Sequence, residues 1–446
     1  MIKNICILLA SILAFSCASG PKEYKDLDRA VNTGNFEEAV QVIDRGQQRR
    51  RPVFSERNSI LLYLNRGLLE HYAGNYEASS LSLQTAERLI EEAYTKSISQ
   101  SFLSYIINDN TKEYPGEDFE DIYLNVFNAL NYYNIGDLEG ALVEIRKLTT
   151  SSGKLAMLAR RHEYNDPNTG ASLNEMTQRE TGVSQLPETK SVNFSNSALA
   201  RYLSFLFYQG MGNTDAARIE YNQIFQAFNT NRNIYNFNVP GAVEDAYNIP
   251  ANKARLNVIS FTGLSPIKEE ERIVFYLPFH NPFLNAAVFR LPVLVRRPGL
   301  ITNIEVIVNG TDRFYLQLLE DIGSVIEETY NARYGSIVAK TFIRTIIKHT
   351  AADIATIAAY REQDALTALF VAAGARTAAN LSERADIRMS RYLPERSYIG
   401  GINLDPGTYS VIINYYNGVN LISTETYDNV IVEQNRLNLI QSVNLR

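Results

Sequence analysis

The hydrophobic positions between Ile60 and Leu89 recur at intervals of three and four residues on both sides of Gly74-Asn75. This spacing predicts two amphipathic helices joined by a tight turn, because side chains three or four positions apart share one face of a helix. Gly67 in the first helix, and Ser79 and Ala86 in the second, are small enough to allow close contact. The remaining apolar faces are too large for a single helical pair to bury.

The same turn pattern recurs along the first half of the chain. A glycine suited to end one helix is followed by Asn or Asp, which caps the next helix, and then by acidic residues that complement the helix dipole. These turns begin at Gly34, Gly74, Gly136 and Gly212. The units resemble tetratricopeptide repeats, which stack side by side. We therefore expect a tetratricopeptide-like helical repeat domain over residues 17–230.

Beyond residue 230 the helical period gives way to alternation of apolar and polar positions. Residues 255–310 are predicted to form strands, with turns at 263–266 and 297–299. Helices are predicted over 314–391, including a buried helical hairpin at 337–379, and a β-hairpin region over 397–446 that turns at Asp405-Pro406-Gly407. The expected fold class is α+β, with an all-α helical repeat array followed by a mixed α/β C-terminal region at residues 250–446.

The N-terminus has the layout of a bacterial secretion signal over residues 1–16, with an early lysine and an apolar run from Ile5 to Phe15. This run is too short for a transmembrane helix. Ala14-Phe15-Ser16-Cys17 resembles the lipobox of bacterial lipoproteins, in which the cysteine becomes acylated after cleavage. An uncleaved anchor and an ordinary signal peptide remain the alternatives. We expect attachment of lipid at Cys17. The residue after it is Ala18 rather than an aspartate, and in the usual sorting pattern of bacterial lipoproteins this indicates the outer membrane, facing the periplasm.

Composition and motifs give no indication of catalysis. With 43 basic and 49 acidic residues among 446, the net charge of -6 does not favour nucleic-acid binding. Cys6 and Cys17 are the only cysteines, so a mature chain would have no disulfide framework. No nucleophile elbow, phosphate-binding loop or paired metal-ligand motif occurs. We therefore expect neither an enzyme nor a bound cofactor or metal. The four histidines are scattered: His71, His162, His280 and His349.

Several longer stretches resemble a poorly characterised family of bacterial lipoproteins, in which tetratricopeptide-like repeats precede a C-terminal α/β region. These stretches are EDFEDIYLNVFNALNYYNIGDLEGALVEIRK, SNSALARYLSFLFYQGMGNTDAARIEYNQI, EEERIVFYLPF and RADIRMSRYLPERSYIGGINLDPGTYSV. The last also looks like the PEGA-type β module of bacterial surface proteins. The resemblance implies a location in the envelope and a role in binding or assembly, and it brings no catalytic residues.

Two functions remain open. The first is a scaffold in which the concave face of the helical array binds an envelope protein or peptide, as solenoids generally do. The alternative is a protein that binds or modifies cell-wall polysaccharide through its C-terminal domain, where His280 lies in a proline-framed loop. For the scaffold, the first helix of each pair supplies the partner-binding candidates, all polar and able to hydrogen-bond a peptide: Asn65, Arg66, Asn125, Asn128 and Arg201.

The position of Cys17 after the apolar run predicts that it is the acylated residue. Metabolic labelling with a fatty-acid probe should mark the wild-type protein and leave Cys17→Ser unlabelled. Equal labelling of the two proteins would contradict this assignment. Cys6→Ser is the matched control and should be labelled as strongly as the wild type.

Overall fold

The computed structural model describes residues 24–49, 52–98, 112–158, 192, 194–276, 286–362 and 384–446. The predicted signal segment and Cys17 lie outside this part of the chain, so their assignment stays a prediction. Helices come first: α1 Lys25–Asn32, α2 Phe36–Gln47, α3 Ser59–Tyr72, α4 Tyr76–Ile98, α5 Asp118–Asn134, α6 Leu138–Thr149, α7 Lys154–Met157, α8 Ala198–Gly210, α9 Thr214–Thr230 and α10 Gly241–Tyr247. A short 3-10 helix, Glu56–Asn58, precedes α3.

The glycine turns between paired helices are as predicted. Each glycine has a positive φ: 76° at Gly34, 81° at Gly74, 85° at Gly136 and 73° at Gly212. This is the left-handed region, which glycine enters without steric cost. The side chains that cap the helices after three of these turns each accept a backbone N–H three residues further on: Asn35, Asp137 and Asn213. The turns therefore fix the pairs α1–α2, α3–α4, α5–α6 and α8–α9.

Close packing within the second pair depends on Gly67. The Ser79 hydroxyl of α4 donates to the Gly67 carbonyl of α3 at 2.7 Å. A Cβ atom added to Gly67 would lie 2.6 Å from Cδ2 of Leu83 and 3.3 Å from its backbone nitrogen. The two helices are therefore in direct contact, as the small residues predicted.

The second half of the described chain is mainly strands: β1 Ala254–Tyr276, β2 Ala286–Arg297, β3 Asn303–Val308, β4 Asp312–Tyr315, β5 Gln317–Asp321, β6 Pro394–Leu404, β7 Gly407–Asn417, β8 Asn420–Val432 and β9 Asn438–Asn444. The helix α11, Ile322–Glu362, lies between β5 and β6. The coarse prediction of an α+β fold, helical first and mixed afterwards, is confirmed.

The strands form two sheets. One has the order β2-β1-β6-β5, with β9 parallel to the first half of β1. The other has the order β4-β3-β7-β8 and is antiparallel throughout. We call them the five-stranded and the four-stranded sheet. Adjacent residues of β1 face opposite ways, and this places the first sheet between the helices and the second sheet.

Alternation along β1 shows this layering directly. Ile259 and Phe261 belong to the core that the sheet shares with the helices. Leu256 and Val258 point the other way, into a core shared with β3 and β7 of the four-stranded sheet. The layers are therefore helices, five-stranded sheet and four-stranded sheet, in that order.

The predicted turn at residues 263–266 is wrong. The chain continues as one strand, β1, across this point, with a shift of register between Leu264 and Ile267. Gly263 has φ 66°, a conformation typical of a bulge. The strand continues because its first half pairs with β6 and its second half with β2.

The predicted hairpin at Asp405-Pro406-Gly407 is also wrong. The strand before this turn, β6, pairs with β1 and β5, whereas β7 after it pairs with β3 and β8. The turn therefore carries the chain from one sheet to the other. The hairpin lies one turn later, between β7 and β8, where Asn417 is paired with Asn420.

The helices predicted over 314–391 begin later and end earlier than expected. The last part of β4 and all of β5 occupy residues 314–321, because β5 pairs with β6. Helix α11 is a single helix of 41 residues, and residues 384–393 form no regular element. The second half of the predicted helical hairpin lies outside the described residues. Among the described helices, none is both long and apolar enough to cross a membrane.

The contact at Gly67 generates a test of the helical packing. Gly67→Leu should lower the free energy of unfolding by about 1–3 kcal/mol, because the added side chain must push Leu83 and the α4 backbone away. Thermal melts of the purified protein measure the effect. Gln84→Leu, an exposed substitution on α4, is the control and should melt near the wild type. An unchanged melt for Gly67→Leu would contradict the packing.

Candidate functional site

The predicted partner-binding face is covered by the chain itself. Helices α3, α5 and α8, the first members of their pairs, turn towards the five-stranded sheet and the irregular residues 384–393. We call residues 384–393 the threaded segment. The side chains of Asn65, Asn125 and Asn128 are at most 1% exposed. The structure therefore places these three side chains in the interior, and their contact with an external partner stays a prediction.

Asn65 does bind an extended backbone, but that backbone belongs to the threaded segment. Its side-chain oxygen accepts the backbone N–H of Arg391 at 3.0 Å and the Ser390 hydroxyl at 3.1 Å. Its amide nitrogen donates to the Leu61 carbonyl within α3. The hydrogen-bonding chemistry predicted for this residue is thus used inside the molecule.

The other two asparagines join helices to one another. The Asn125 amide donates to carboxylates of Glu87 and Glu144, at 2.8 and 2.7 Å. The Asn128 oxygen accepts the Ser80 hydroxyl at 2.5 Å. Both asparagines lie on α5, between neighbouring helices of the array. Sequence pattern alone could not separate polar residues on an open surface from polar residues between packed helices.

The two predicted arginines are held by acidic neighbours. Arg66 is 37% exposed and lies 3.3 Å from Asp44 and 3.7 Å from Glu70. Arg201 is 13% exposed, pairs with Glu220 at 3.0 Å and donates to the Thr149 carbonyl. Arg66 alone of the five predicted residues keeps a substantial exposed side chain.

The threaded segment is fixed along its length. Tyr392 donates through its hydroxyl to Asp28, and its carbonyl accepts the Tyr72 hydroxyl at 2.9 Å. Arg391 pairs with Asp28 at 2.9 Å. Arg297 of β2 donates to the Arg391 carbonyl at 2.6 Å. The segment therefore links α1, α3 and the five-stranded sheet.

A buried pair of carboxylates lies where α5 begins. Glu117 contacts Nζ of Lys268 on β1 and lies 2.5 Å from Nη1 of Arg333 on α11. Glu120, one turn along, accepts the backbone N–H of Ser390 at 2.5 Å and the Tyr114 hydroxyl at 2.8 Å. Helix, sheet, long helix and threaded segment thus meet at these two acidic residues.

The pKa of Glu120 is raised to about 7, mainly by burial and also by the nearby charge of Glu117. The hydrogen bonds from Ser390, Tyr114 and the Glu117 backbone act in the opposite direction. Leucines at 64, 68, 124 and 393, together with Ser390, line a narrow crevice beside the carboxyl and contribute to its burial. Glu120 consequently changes its protonation state near neutral pH.

Glu320 of β5 forms a second link between sheet and helices. Its fully buried carboxylate accepts the hydroxyls of Tyr123 at 2.7 Å, Ser197 at 2.8 Å and Tyr235 at 2.6 Å. It also accepts the backbone N–H of Leu199 at 3.1 Å, so it caps the N-terminus of α8. Such caps stabilise because the helix dipole is positive at this end. The Glu320 carboxylate therefore connects β5 to α5 and to the start of α8.

His71 belongs to a chain of hydrogen bonds from β9 to the helices. Its Nδ1 lies 2.6 Å from the Asn131 side-chain oxygen and its Nε2 contacts the amide of Gln441. Asn131 then donates to the Ser79 hydroxyl at 2.8 Å. Burial lowers the pKa of His71 to about 4, so the ring is neutral at pH 7. It donates from Nδ1 and accepts at Nε2.

The described residues contain no group of three or more His, Cys, Asp or Glu side chains placed to hold a metal ion. His162 and His280 lie outside that part of the chain, and His349 lies in α11. The alternative site around His280 therefore stays a prediction. Comparison with protein-family models, with curated proteins and with solved structures found no match to this chain.

One outward feature recurs in three of the four helical pairs, whereas the first pair has Gln41 at the equivalent position. Leu81, Val143 and Ile219 each stand seven positions after the left-handed glycine of their pair, on α4, α6 and α9. Their exposed fractions are 69%, 55% and 54%. We call these three residues the outer ridge. The signal was present in the sequence, because aligning the glycine turns brings the three aliphatic residues to one position.

The environment of Glu120 predicts a pH dependence of stability. A carboxyl whose pKa is raised by folding stabilises the fold fully below its unfolded value near 4.5, and this contribution is lost as pH rises through about 7. Wild type should therefore lose stability relative to Glu120→Gln between pH 5 and pH 8, by on the order of 3 kcal/mol. Urea unfolding of both proteins at several pH values measures this difference.

Replacing the Glu120 carboxyl with an amide also changes the hydrogen bonds at this position. That change shifts the free energy of unfolding of Glu120→Gln by the same amount at every pH. Only the divergence of the two curves with pH reports the titration of Glu120. Glu77→Gln, which changes an exposed carboxyl on α4, is the control, and its curve should stay parallel to that of the wild type. Parallel curves for wild type and Glu120→Gln would contradict the assignment.

Proposed function

We propose that the chain is an envelope-anchored lipoprotein, attached through Cys17 to the outer membrane and facing the periplasm. In this proposal it acts as a protein–protein interaction scaffold in cell-envelope assembly or maintenance. Its tetratricopeptide-like helical pairs form the frame and present their outer surface to a partner protein. The observation that carries the proposal is the outer ridge of Leu81, Val143 and Ile219.

The ridge differs from ordinary exposed apolar residues by its recurrence. Single exposed leucines and valines are common on protein surfaces and need no explanation. Here the pairs α3–α4, α5–α6 and α8–α9 carry an aliphatic residue at the same position of the second helix. A polar residue there would avoid exposing an apolar side chain to water. Stacked units repeat equivalent positions along one side. The same surface could therefore be buried together by one partner.

Acidic residues indicate the chemistry of that partner. Glu77, Glu139 and Asp215 each stand one helical turn before a ridge residue, and all are exposed. They complement their helix dipoles, but they also surround the aliphatic side chains with negative charge. A partner surface with apolar side chains flanked by Lys or Arg would match both features.

The inner face offers less room for an external protein. The threaded segment and the five-stranded sheet cover α3, α5 and α8, and the asparagines predicted to bind a partner are engaged there. An external peptide would first have to displace many internal hydrogen bonds. This supports an interaction through the second helices of the pairs.

The ridge can be tested in one experiment. The joint variant Leu81→Ser, Val143→Ser and Ile219→Ser should fold with a thermal melt near the wild type, because all three side chains are exposed. Affinity purification from detergent-solubilised envelope should recover a specific protein with the wild type. At least about tenfold less of that protein should come with the variant, because the apolar contact is lost.

The matched control changes exposed polar residues on the same helices: Arg88→Ser, Arg146→Ser and Asn222→Ser. It should recover the partner as the wild type does. Equal recovery with the ridge variant would overturn the assignment of the ridge. Retention of a sugar polymer in place of any protein would favour the polysaccharide alternative.

A further inference from the structure

The outward face of the four-stranded sheet carries an ordered row of side chains. Tyr315 of β4 stands opposite Glu305 of β3, which stands opposite Asn414 of β7, which in turn stands opposite Thr424 of β8. The row therefore crosses all four strands. The alternate residues of β3 and β7 fill the core between the two sheets, so this row faces away from the rest of the protein.

Glu305 organises the row. Its Oε1 accepts from Nη1 of Arg313 at 3.3 Å, and its Oε2 accepts the Tyr416 hydroxyl at 3.1 Å and the Asn414 amide at 3.4 Å. The Thr424 hydroxyl donates to the Asn414 oxygen at 2.8 Å. Although it points outward, Glu305 is only 6% exposed, because these neighbours enclose it. The polar groups are thus held in fixed orientations before any ligand arrives.

Two tyrosine rings flank this network. Tyr315 is 62% exposed on the edge strand β4. Tyr416 is half-buried two residues beyond Asn414 and stands opposite Leu421, which is 55% exposed. The two tyrosines are two strands and two residues apart, a Cα separation of roughly 12 Å. Flat apolar rings therefore alternate with fixed polar groups across an open surface.

We propose that this face binds a polysaccharide built of pyranose sugars. A pyranose ring has an apolar face of C–H groups, which packs on an aromatic ring, and hydroxyls at its rim, which need oriented donors and acceptors. Tyr315 and Tyr416 supply the rings. Asn414, Thr424 and the guanidinium of Arg313 supply the polar partners. The separation of the tyrosines corresponds to a few linked sugars and suits a polymer.

The charge of the face favours a neutral sugar over other polymers. Glu305 and Arg313 neutralise each other, so the row has no excess positive charge for phosphate groups or nucleic acid. Polar Glu305 and Asn414 lie between Tyr315 and Tyr416, whereas the buried centre of a protein–protein contact is usually contiguous and apolar. The occupant that fits both observations is a glycan chain.

The test uses the full-length lipoprotein in detergent micelles, pelleted with insoluble peptidoglycan, chitin or cellulose. The wild type should sediment with at least one of these polymers. Tyr315→Ala combined with Tyr416→Ala should weaken this retention about tenfold or more. Tyr315→Ala alone should weaken it measurably without disturbing the fold, because most of that side chain lies in solvent.

Three controls make the outcome specific. Tyr94→Ala removes a tyrosine that is 39% exposed on α4 and should sediment as the wild type does. Tyr416→Phe keeps the ring and should retain most binding. The ridge variant should also sediment normally, so failure of the scaffold proposal and failure of this one can be told apart.

The inference is overturned if the wild type sediments with none of the polymers, or if the double variant sediments equally well while melting normally. It is also overturned if a photo-crosslinker placed at Asn303 captures a protein in the envelope and no glycan. Asn303 suits this purpose because it is exposed on the same face, opposite Tyr416.

Discussion

The structure depends on one constraint, which is that the inner side of the helical array is apolar and must be covered. Helices α3, α5 and α8 bury their faces against β1 and β6, and Phe127 meets Phe261 with ring centroids 5.0 Å apart. Burying such area is the main favourable contribution to folding. Because the covering layer comes from the second half of the same chain, the helices and the five-stranded sheet share one core.

Polar groups fix the orientation of that contact. Water is excluded between the layers, so a carboxylate left without partners there would be costly. Glu320 meets three hydroxyls and a helix N-terminus, and Glu117 meets a lysine and an arginine from separate elements. Both residues accept hydrogen bonds or ion pairs that only one arrangement of helices and sheet can provide. Hydrophobic burial holds the layers together, and these groups select their register.

The same covering decides which surfaces remain open. On the inner side of the helical pairs, Asn65 accepts a hydrogen bond from the backbone of the threaded segment. Among the described residues, the outer ridge on the second helices and the outer face of the four-stranded sheet both remain accessible. These two surfaces differ in chemistry, one aliphatic and acidic and the other aromatic with a neutral polar network, and this difference underlies the two separate proposals.

The amino-acid sequence by itself determined the local elements of this protein. Glycine at four turns, with Asn or Asp after it, defines the helical pairs because only particular residues tolerate a left-handed turn or cap a helix. Alternation of apolar and polar positions located most of the strands, because successive residues of a strand face opposite sides of the sheet. The tertiary structure alone decided that β1 continues through a register shift after Leu264, that β6 and β7 belong to different sheets, and that Asn125 is buried. Each of these outcomes depends on a partner hundreds or tens of residues away, and local pattern does not identify that partner.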